Sequence, residues 1–72
     1  MAVSVVAHIT GNVWKIEKAP GDPVAEGDVV VILESMKMEI PVEAPAAGTI
    51  ATIDTREGAA VLTGAILATI EP

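Results

Sequence analysis

The chain is an internal repeat, and no other feature of the sequence constrains its fold more. When the sequence is displaced by 37 positions, residues 1–35 align with residues 38–72 without a gap. The nine identical pairs are Met1/Met38, Val5/Val42, Ala7/Ala44, Gly11/Gly48, Ile16/Ile53, Gly21/Gly58, Val24/Val61, Gly27/Gly64 and Glu34/Glu71. A fixed-period repeat normally marks a repeated supersecondary unit. With two copies in 72 residues, we predict one domain, residues 1–72, with two-fold pseudo-symmetry.

The residue pattern inside each copy is that of β-strands rather than helices. No stretch shows the sustained i, i+3, i+4, i+7 apolar spacing of a helix. Alternating apolar residues predict a half-buried first strand that begins at Val3 and includes Ala7 and Ile9. The other predicted strands are residues 13–17, 29–34, 38–43, 49–54 and 66–70, with short strands around Val24 and Val61. Many short strands separated by turns predict an all-β sandwich or flattened barrel.

Glycine and proline residues add two local predictions. Gly27 and Gly64 occupy equivalent turns of the two copies, and we expect positive φ at both. Pro41 cannot donate a hydrogen bond to a neighbouring strand. Its strand is therefore predicted to lie at an edge of its sheet or to present that position outward.

Met36 and Lys37 lie at the junction of the two copies, where neither residue has a counterpart. Strands that end near Glu34 and begin near Met38 leave about two residues for the turn, the commonest hairpin length. Such turns require positive φ and normally contain Asn-Gly. A Met-Lys pair there is expected to cost on the order of 1–3 kcal/mol per strained residue. We therefore interpret the turn as a functional site that is kept for a reason other than folding.

Composition and charge argue against several classes of partner. Ten acidic residues against four basic ones give a net charge of −6. Nucleic acids and anionic membrane surfaces are bound mainly through Lys and Arg, so neither is an expected partner. No apolar run reaches the roughly 18–20 residues of a membrane span. The N-terminus lacks the basic start of a signal peptide and the chain has no cysteine, so we expect a cytoplasmic protein.

The sequence contains no recognisable catalytic or metal-binding constellation. The lone His8 has no partners for general-base or zinc chemistry and is predicted to point outward from a strand. The carboxylates lack the spacing of an EF-hand, and the glycines do not form a phosphate-binding loop. We therefore predict that the chain is not an enzyme and that it has no catalytic residues and no metal site.

Lys37 is the strongest candidate for a chemical role. A lysine in a turn is normally no more than a solvated charge. Here Met36 and Met38 surround the amine with soft, adaptable side chains on which another protein can pack, whereas Lys15 and Lys18 lack such neighbours. Two interpretations follow from the residues alone: the amine is modified, or the methionine-rich tip binds a partner without modification.

The segment Glu34-Ser35-Met36-Lys37-Met38-Glu39 resembles the attachment motif of biotin carboxyl carrier domains, usually written Ala/Ser-Met-Lys-Met. Residues 45–50, Pro-Ala-Ala-Gly-Thr-Ile, match the family's Ala-Pro-x-x-Gly-x-Ile/Val stretch. Residues 21–28 resemble its Gly-Asp-x-Val-x-x-Gly-(Asp/Gln) element, which residues 58–64 repeat. The resemblance covers nearly the whole chain, which is most similar to the stand-alone proteins of the biotinyl/lipoyl attachment family.

This resemblance implies a flattened β-barrel of two four-stranded antiparallel sheets, with quasi-two-fold symmetry between residues 1–35 and 38–72. It implies that a biotin protein ligase attaches biotin to Lys37, the cofactor-binding residue. The residues implied in recognition are Glu34, Ser35, Met36, Met38 and Glu39. It further implies a carrier that moves carboxyl groups between biotin carboxylase and carboxyltransferase subunits, those of an acyl-CoA carboxylase.

Two alternatives remain beside the biotin carrier. Lipoyl domains share the fold and a lysine at a hairpin tip, so a lipoylated carrier of the 2-oxoacid dehydrogenase type is the first. They commonly contain Asp-Lys-Ala, and the Met-Lys-Met of this chain favours biotin over lipoate. The second is an unmodified β-barrel interaction module. Because a carrier has to keep its tip free, we expect a monomer in isolation.

Overall fold

The computed structural model describes residues 2–72 and consists of β-strands joined by turns, with no helix among them. The eight strands are β1 (Val3–Val6), β2 (Gly11–Ile16), β3 (Pro23–Val24), β4 (Val29–Ser35), β5 (Met38–Glu43), β6 (Gly48–Ile53), β7 (Ala60–Val61) and β8 (Ile66–Glu71). They form two four-stranded sheets in which every pairing is antiparallel. The predicted all-β fold of two four-stranded antiparallel sheets is confirmed.

The predicted pseudo-symmetry is confirmed by the order of the strands. One sheet has the order β1-β8-β6-β3 and the other has the order β5-β4-β2-β7. Adding 37 to the residue numbers converts β2 into β6 and β3 into β7, bound for bound. The same displacement relates β1 to β5 and β4 to β8, so it converts one sheet into the other. Of the identical pairs, only Met1/Met38 includes a residue outside the part of the chain that the structure describes.

Backbone hydrogen bonds outside the strands repeat in the same way. The N–H of Ala7 donates to the carbonyl of Ala65 at 2.9 Å, and the equivalent N–H of Ala44 donates to the carbonyl of Asp28 at 2.8 Å. Gly27 and Gly64 have φ of 91° and 92°, which confirms the positive φ predicted for these two turns. The backbones of the two halves are therefore equivalent down to individual turns.

The core lies between the sheets and is entirely aliphatic. Its buried residues are Val5, Ala7, Val13, Val24, Val30, Val31, Leu33, Val42, Ala44, Ile50, Leu67, Ala68 and Ile70. Trp14, the one aromatic residue, is 46% exposed and lies outside this core. Fully burying an aliphatic side chain contributes roughly 1.5–3 kcal/mol, so a core of this kind can hold a small domain without disulfides. Pro41 is exposed in β5, an edge strand, as predicted.

The first strand is shorter than its alternating pattern predicts. It ends at Val6, and the chain bends at His8 and Ile9. The reason is that both backbone groups of Ala7 bond to the turn before β8: its N–H to Ala65, and its carbonyl to the N–H of Gly64 at 2.8 Å. The chain then crosses to the other sheet. His8 is exposed, as predicted, but it lies in this bend and not on a strand. None of the described segments is a helix able to cross a membrane.

The identical pair Val5 and Val42 allows a direct test of the two-fold packing. Their side chains are 1% and 2% exposed and occupy equivalent places in the core. We expect Val5→Ala and Val42→Ala each to lower the free energy of unfolding by about 1.5–3 kcal/mol, because each removes two buried methyl groups. Urea denaturation measures both values. Leu62→Ala, at a residue that is 72% exposed, is the control and should cost less than about 0.5 kcal/mol. Clearly unequal losses for the two valines would contradict equivalent packing.

Candidate functional site

The hairpin between β4 and β5 ends in the two-residue turn that the repeat predicts. Ser35 and Met38 form the last strand pair, and Met36 and Lys37 form the turn itself. Among the described residues other than glycine, only these two have positive φ, 51° and 65°. Positive φ at both central residues is the signature of a type I′ turn, which suits the twist of the flanking strands. The predicted two-residue turn and its positive φ are therefore confirmed.

The strands beneath the turn hold it rigidly. β4 pairs with β5 from Ser35 back to Val29 and with β2 on its other edge. At the start of β2 the backbones come unusually close, since a Cβ atom at Gly11 would lie 2.6 Å from the carbonyl oxygen of Glu34. Only glycine allows this approach without displacement of the backbone. The turn thus stands on a strand that is supported from both sides.

The side chains of the turn project into solvent. Met36 is 91% exposed and Met38 is 63% exposed, although both are large apolar residues. Lys37 between them is also exposed. Within residues 2–72 its amine forms no ion pair and no hydrogen bond. The tip therefore presents a free primary amine between two thioether side chains, where another protein can reach all three.

Two carboxylates belong to the strand pair next to the one that closes the turn. Glu34 and Glu39 face each other across the β4–β5 ladder, and both are exposed. Like charges directly opposite each other destabilise a sheet, so this pair does not serve the stability of the hairpin. It gives the base of the tip a negative potential beside the Lys37 ammonium. Ser35 is only half-exposed, and its Cβ would lie 3.4 Å from a Cβ at Gly11.

The structure brings together all six residues that the sequence singles out, Glu34 to Glu39. Two neighbours of the tip do not stand out in the sequence motif. Gly11 provides the close approach of β2, and Asn12 pairs with Glu34. The identity of Gly11 with Gly48 in the repeat is the signal that could have identified the first of them, because the backbone is equally crowded at Gly48. The described residues contain no group of three or more His, Cys, Asp or Glu side chains suited to a metal ion.

Comparison with known sequences identifies one family over almost the full length. A family model described as "Biotin-requiring enzyme" matches residues 1–70. The "Biotinylated protein TB7.3 homolog" of Mycobacterium leprae (strain TN) is 41% identical over 70 residues, 97% of this chain and 99% of the relative. The "Biotin/lipoyl attachment protein" of Bacillus subtilis (strain 168) is 42% identical over 67 residues, 93% of this chain and 89% of the relative.

Larger proteins contain a similar segment. In the alpha3 subunit of a biotin-dependent acyl-coenzyme A carboxylase of Mycobacterium leprae (strain TN), 68 residues are 43% identical, 94% of this chain but 11% of that one. The crystal structure of the Kluyveromyces lactis urea carboxylase matches with a TM-score of 0.93 and 37% identity over 99% of this chain and 6% of that one. The lipoyl domain of the Azotobacter vinelandii 2-oxoglutarate dehydrogenase complex matches with a TM-score of 0.72 and 35% identity, covering 88% of this chain and 80% of that one.

The strained turn makes a prediction about stability. Replacing Met36 by Asn together with Lys37 by Gly installs the pair that a type I′ turn prefers. We expect the free energy of unfolding to rise by about 1–2 kcal/mol, because two unfavourable backbone conformations are relieved. Thermal and urea denaturation measure the gain. The matched control, Met36→Ala with Lys37→Ala, removes the same side chains but keeps positive φ at non-glycine residues. An equal gain in both variants would show that the side chains, and not the backbone, cause the strain.

Proposed function

The chain belongs to the biotin/lipoyl attachment family, and on that basis we propose that it is a biotin carboxyl carrier whose Lys37 holds biotin in amide linkage. The observation that carries this proposal is the free amine of Lys37, exposed on a rigid two-residue turn between Met36 and Met38. The similarity along nearly the full length to small attachment proteins marks the chain as a carrier rather than a catalyst.

Attachment of biotin requires a reaction that the carrier cannot perform alone. A biotin protein ligase presents biotinyl-adenylate, and the neutral amine of Lys37 attacks its carbonyl carbon. An amide bond forms, the bond from that carbon to the phosphate oxygen breaks, AMP leaves, and the amine loses a proton. Lysine amines are protonated near neutral pH, so the ligase has to supply a base or a dry pocket. The carrier supplies the position of the amine.

The residues around Lys37 form a surface that the ligase can recognise. Met36 and Met38 are apolar, exposed and adaptable, which suits packing against a partner surface. The facing carboxylates of Glu34 and Glu39 add a charged element directly beneath the turn. Ser35, the last residue of β4, is partly covered and lies beside Gly11. We assign recognition by the ligase, and later by the carboxylase, to these five residues.

Once attached, biotin supplies a ureido ring that takes up and releases a carboxyl group. The domain positions this ring for a biotin carboxylase site and then for a carboxyltransferase site. A tether of this kind raises the effective concentration to about millimolar for short flexible linkers. The similarity to an acyl-coenzyme A carboxylase subunit supports an acyl-CoA as the acceptor. The chain acts as a monomer with its tip free, and it acts in the cytoplasm, where ATP is available to the ligase.

Lipoylation is the alternative that a specific observation supports, because a lipoyl domain shares the fold at 35% identity. The Met-Lys-Met sequence favours biotin, since lipoyl domains commonly have Asp-Lys-Ala at this place. An unmodified interaction module is the other competing function. These three functions differ in what becomes attached to Lys37, which makes intact mass the deciding measurement.

Lys37→Arg is the central test of the proposed function. We expect the wild-type protein, incubated with biotin protein ligase, biotin and ATP, to gain the mass of one biotinyl group on Lys37. The Lys37→Arg variant should gain nothing, because arginine keeps the charge but is not acylated. Lys15→Arg and Lys18→Arg are matched controls and should be labelled like wild type. Labelling of Lys37→Arg would refute the site, a lipoyl adduct in the native host would redirect the function, and absence of any adduct would favour the interaction module.

The methionines provide a second prediction. Met38→Leu changes an exposed strand residue, so we expect the free energy of unfolding to change by less than about 0.5 kcal/mol. Met36→Thr places a β-branched residue at positive φ and should lower the free energy of unfolding by about 1 kcal/mol, which leaves the domain folded. The rate of biotinylation or of carboxylation should fall in at least one of the two variants. Ligase kinetics and a carboxylase assay measure these rates, with urea denaturation as the control for folding. Normal rates of both reactions in both variants would show that the methionines are incidental.

A further inference from the structure

One surface breaks the symmetry between the two halves. In the first half, the carboxylate of Asp22 accepts a hydrogen bond from the N–H of Ala19, and that of Asp28 accepts one from the N–H of Ala25, both at 2.8 Å. These two bonds cover the backbone beside β3. In the second half, the equivalents of Asp22 and Asp28 are Ala59 and Ala65, whose side chains contain no hydrogen-bond acceptor.

The second half has an open groove at this place. Its volume is about 590 Å³, within the 300–1,000 Å³ usual for small-molecule sites. Its apolar wall includes Leu62 and Ile66, which are 72% and 51% exposed. The backbone N–H groups of Arg56 and Leu62, equivalent to the two that aspartates satisfy in the first half, donate to no acceptor within residues 2–72. The groove therefore combines apolar walls with unused hydrogen-bond donors.

The register of the sheet places this groove beside the tip. Glu39 pairs with Glu34, Glu34 with Asn12, and Asn12 with Ala60 of the groove. This row of paired residues crosses all four strands of the sheet. It lies one residue farther from the turn than Ser35 and Met38, the pair that closes it. Neighbouring strands are about 4.8 Å apart, so Ala60 lies roughly 10 Å from Glu34. The chain then runs from Ala60 through Val61 and Leu62 toward the level of the turn.

We propose that this groove binds the ring system of the biotinyl group on Lys37 of the same chain. This inference rests on the proposed function. The lysine side chain and the valeryl chain of biotin together contain about eleven bonds, which extend roughly 13 Å at normal bond lengths. That length exceeds the two strand spacings, roughly 10 Å, between Glu34 of the hairpin and Ala60 of the groove, so the ring can reach the groove. The site is thus a resting place for the attached group.

The chemistry of the groove fits a neutral, partly apolar ring better than a charged segment. Asp54 and Arg56 both line it, so it has no strong net charge with which to select an acidic or a basic peptide. A cyclic urea has both donors and an acceptor: its N–H groups suit Asp54, and its carbonyl suits the N–H groups of Arg56 and Leu62. The thioether ring suits the wall formed by Leu62 and Ile66. The tether gives the biotinyl ring an effective concentration of about millimolar at the groove. Even a weak site is therefore occupied, and the ring can leave it easily.

Amide NMR spectra of the protein before and after biotinylation test the proposal. Intact mass first verifies the adduct on Lys37, and its absence would overturn the proposed function and this inference together. With the adduct present, we expect shift changes near residues 34–39 and also at the amides of Arg56, Leu62 and Ala65. Changes confined to the tip would overturn the groove while leaving the carrier function intact. Changes at the groove that appear only after biotin carboxylase is added would assign it to the partner and equally overturn the proposal.

Variants copied from the first half sharpen this test. Ala59→Asp with Ala65→Asp installs the carboxylates of Asp22 and Asp28 at equivalent positions, where they cap the free N–H groups and fill the groove. Leu62→Ser removes part of the apolar wall of the groove. Because Leu62 is exposed, we expect this substitution to leave the fold intact. Each should abolish the biotin-dependent shifts at the groove and keep those at the tip. The control, Ala47→Asp with Ala51→Asp, adds the same charge at exposed positions outside the groove and should keep both. Groove shifts that persist in both groove variants would refute the site.

Discussion

Neither copy of the repeated unit satisfies its own backbone hydrogen bonds or covers its own apolar residues. Each sheet contains strands of both halves: β1 lies beside β8, and β2 lies between β4 and β7. The loops follow the same rule, since the N–H of Ala7 donates to Ala65 of the other half. Buried backbone groups without partners are costly, so the two halves have to fold together. The rigid base of the hairpin depends on this exchange, because β2 is held between strands from both sides of the junction.

The unfavourable turn is kept in place by the strand on which it stands. Val31 and Leu33 lie on one face of β4 and are completely buried, and a shift of the strand register by one residue would turn both side chains toward solvent. Burying each of them contributes roughly 1.5–3 kcal/mol. The strain at Met36 and Lys37 costs on the order of 1–3 kcal/mol per residue. The core therefore outweighs the turn, and the tip can have residues that serve recognition instead of folding.

The sequence predicts those parts of the structure that repeat and misses those that depend on contacts between segments distant in the chain. Identical glycines and valines 37 positions apart predict that the two halves contain equivalent strands, the positive φ of Gly27 and Gly64, and the position of Lys37 between the halves. The early end of β1 depends on bonds from Ala7 to residues 64 and 65, which no local pattern reveals. The crowding at Gly11 likewise involves Glu34, a distant residue. The groove beside β7 becomes visible only when Ala59 and Ala65 are compared in space with Asp22 and Asp28. These features belong to pairs of segments, whereas sequence patterns describe single ones.

The pseudo-two-fold axis also governs how such a unit can be joined to other proteins. The rotation that exchanges the two halves exchanges the hairpin turn with the region where β1 begins and β8 ends, near the pair Val3 and Ile70. Points exchanged by a two-fold axis lie on opposite sides of it, so a fusion at either terminus leaves Lys37 uncovered. A similar segment thus makes up most of a small attachment protein of Bacillus subtilis (strain 168) and 6% of the Kluyveromyces lactis urea carboxylase chain. For the proposed carrier, the length of a linker, and not the β-sheets, sets how often the lysine meets a partner's site.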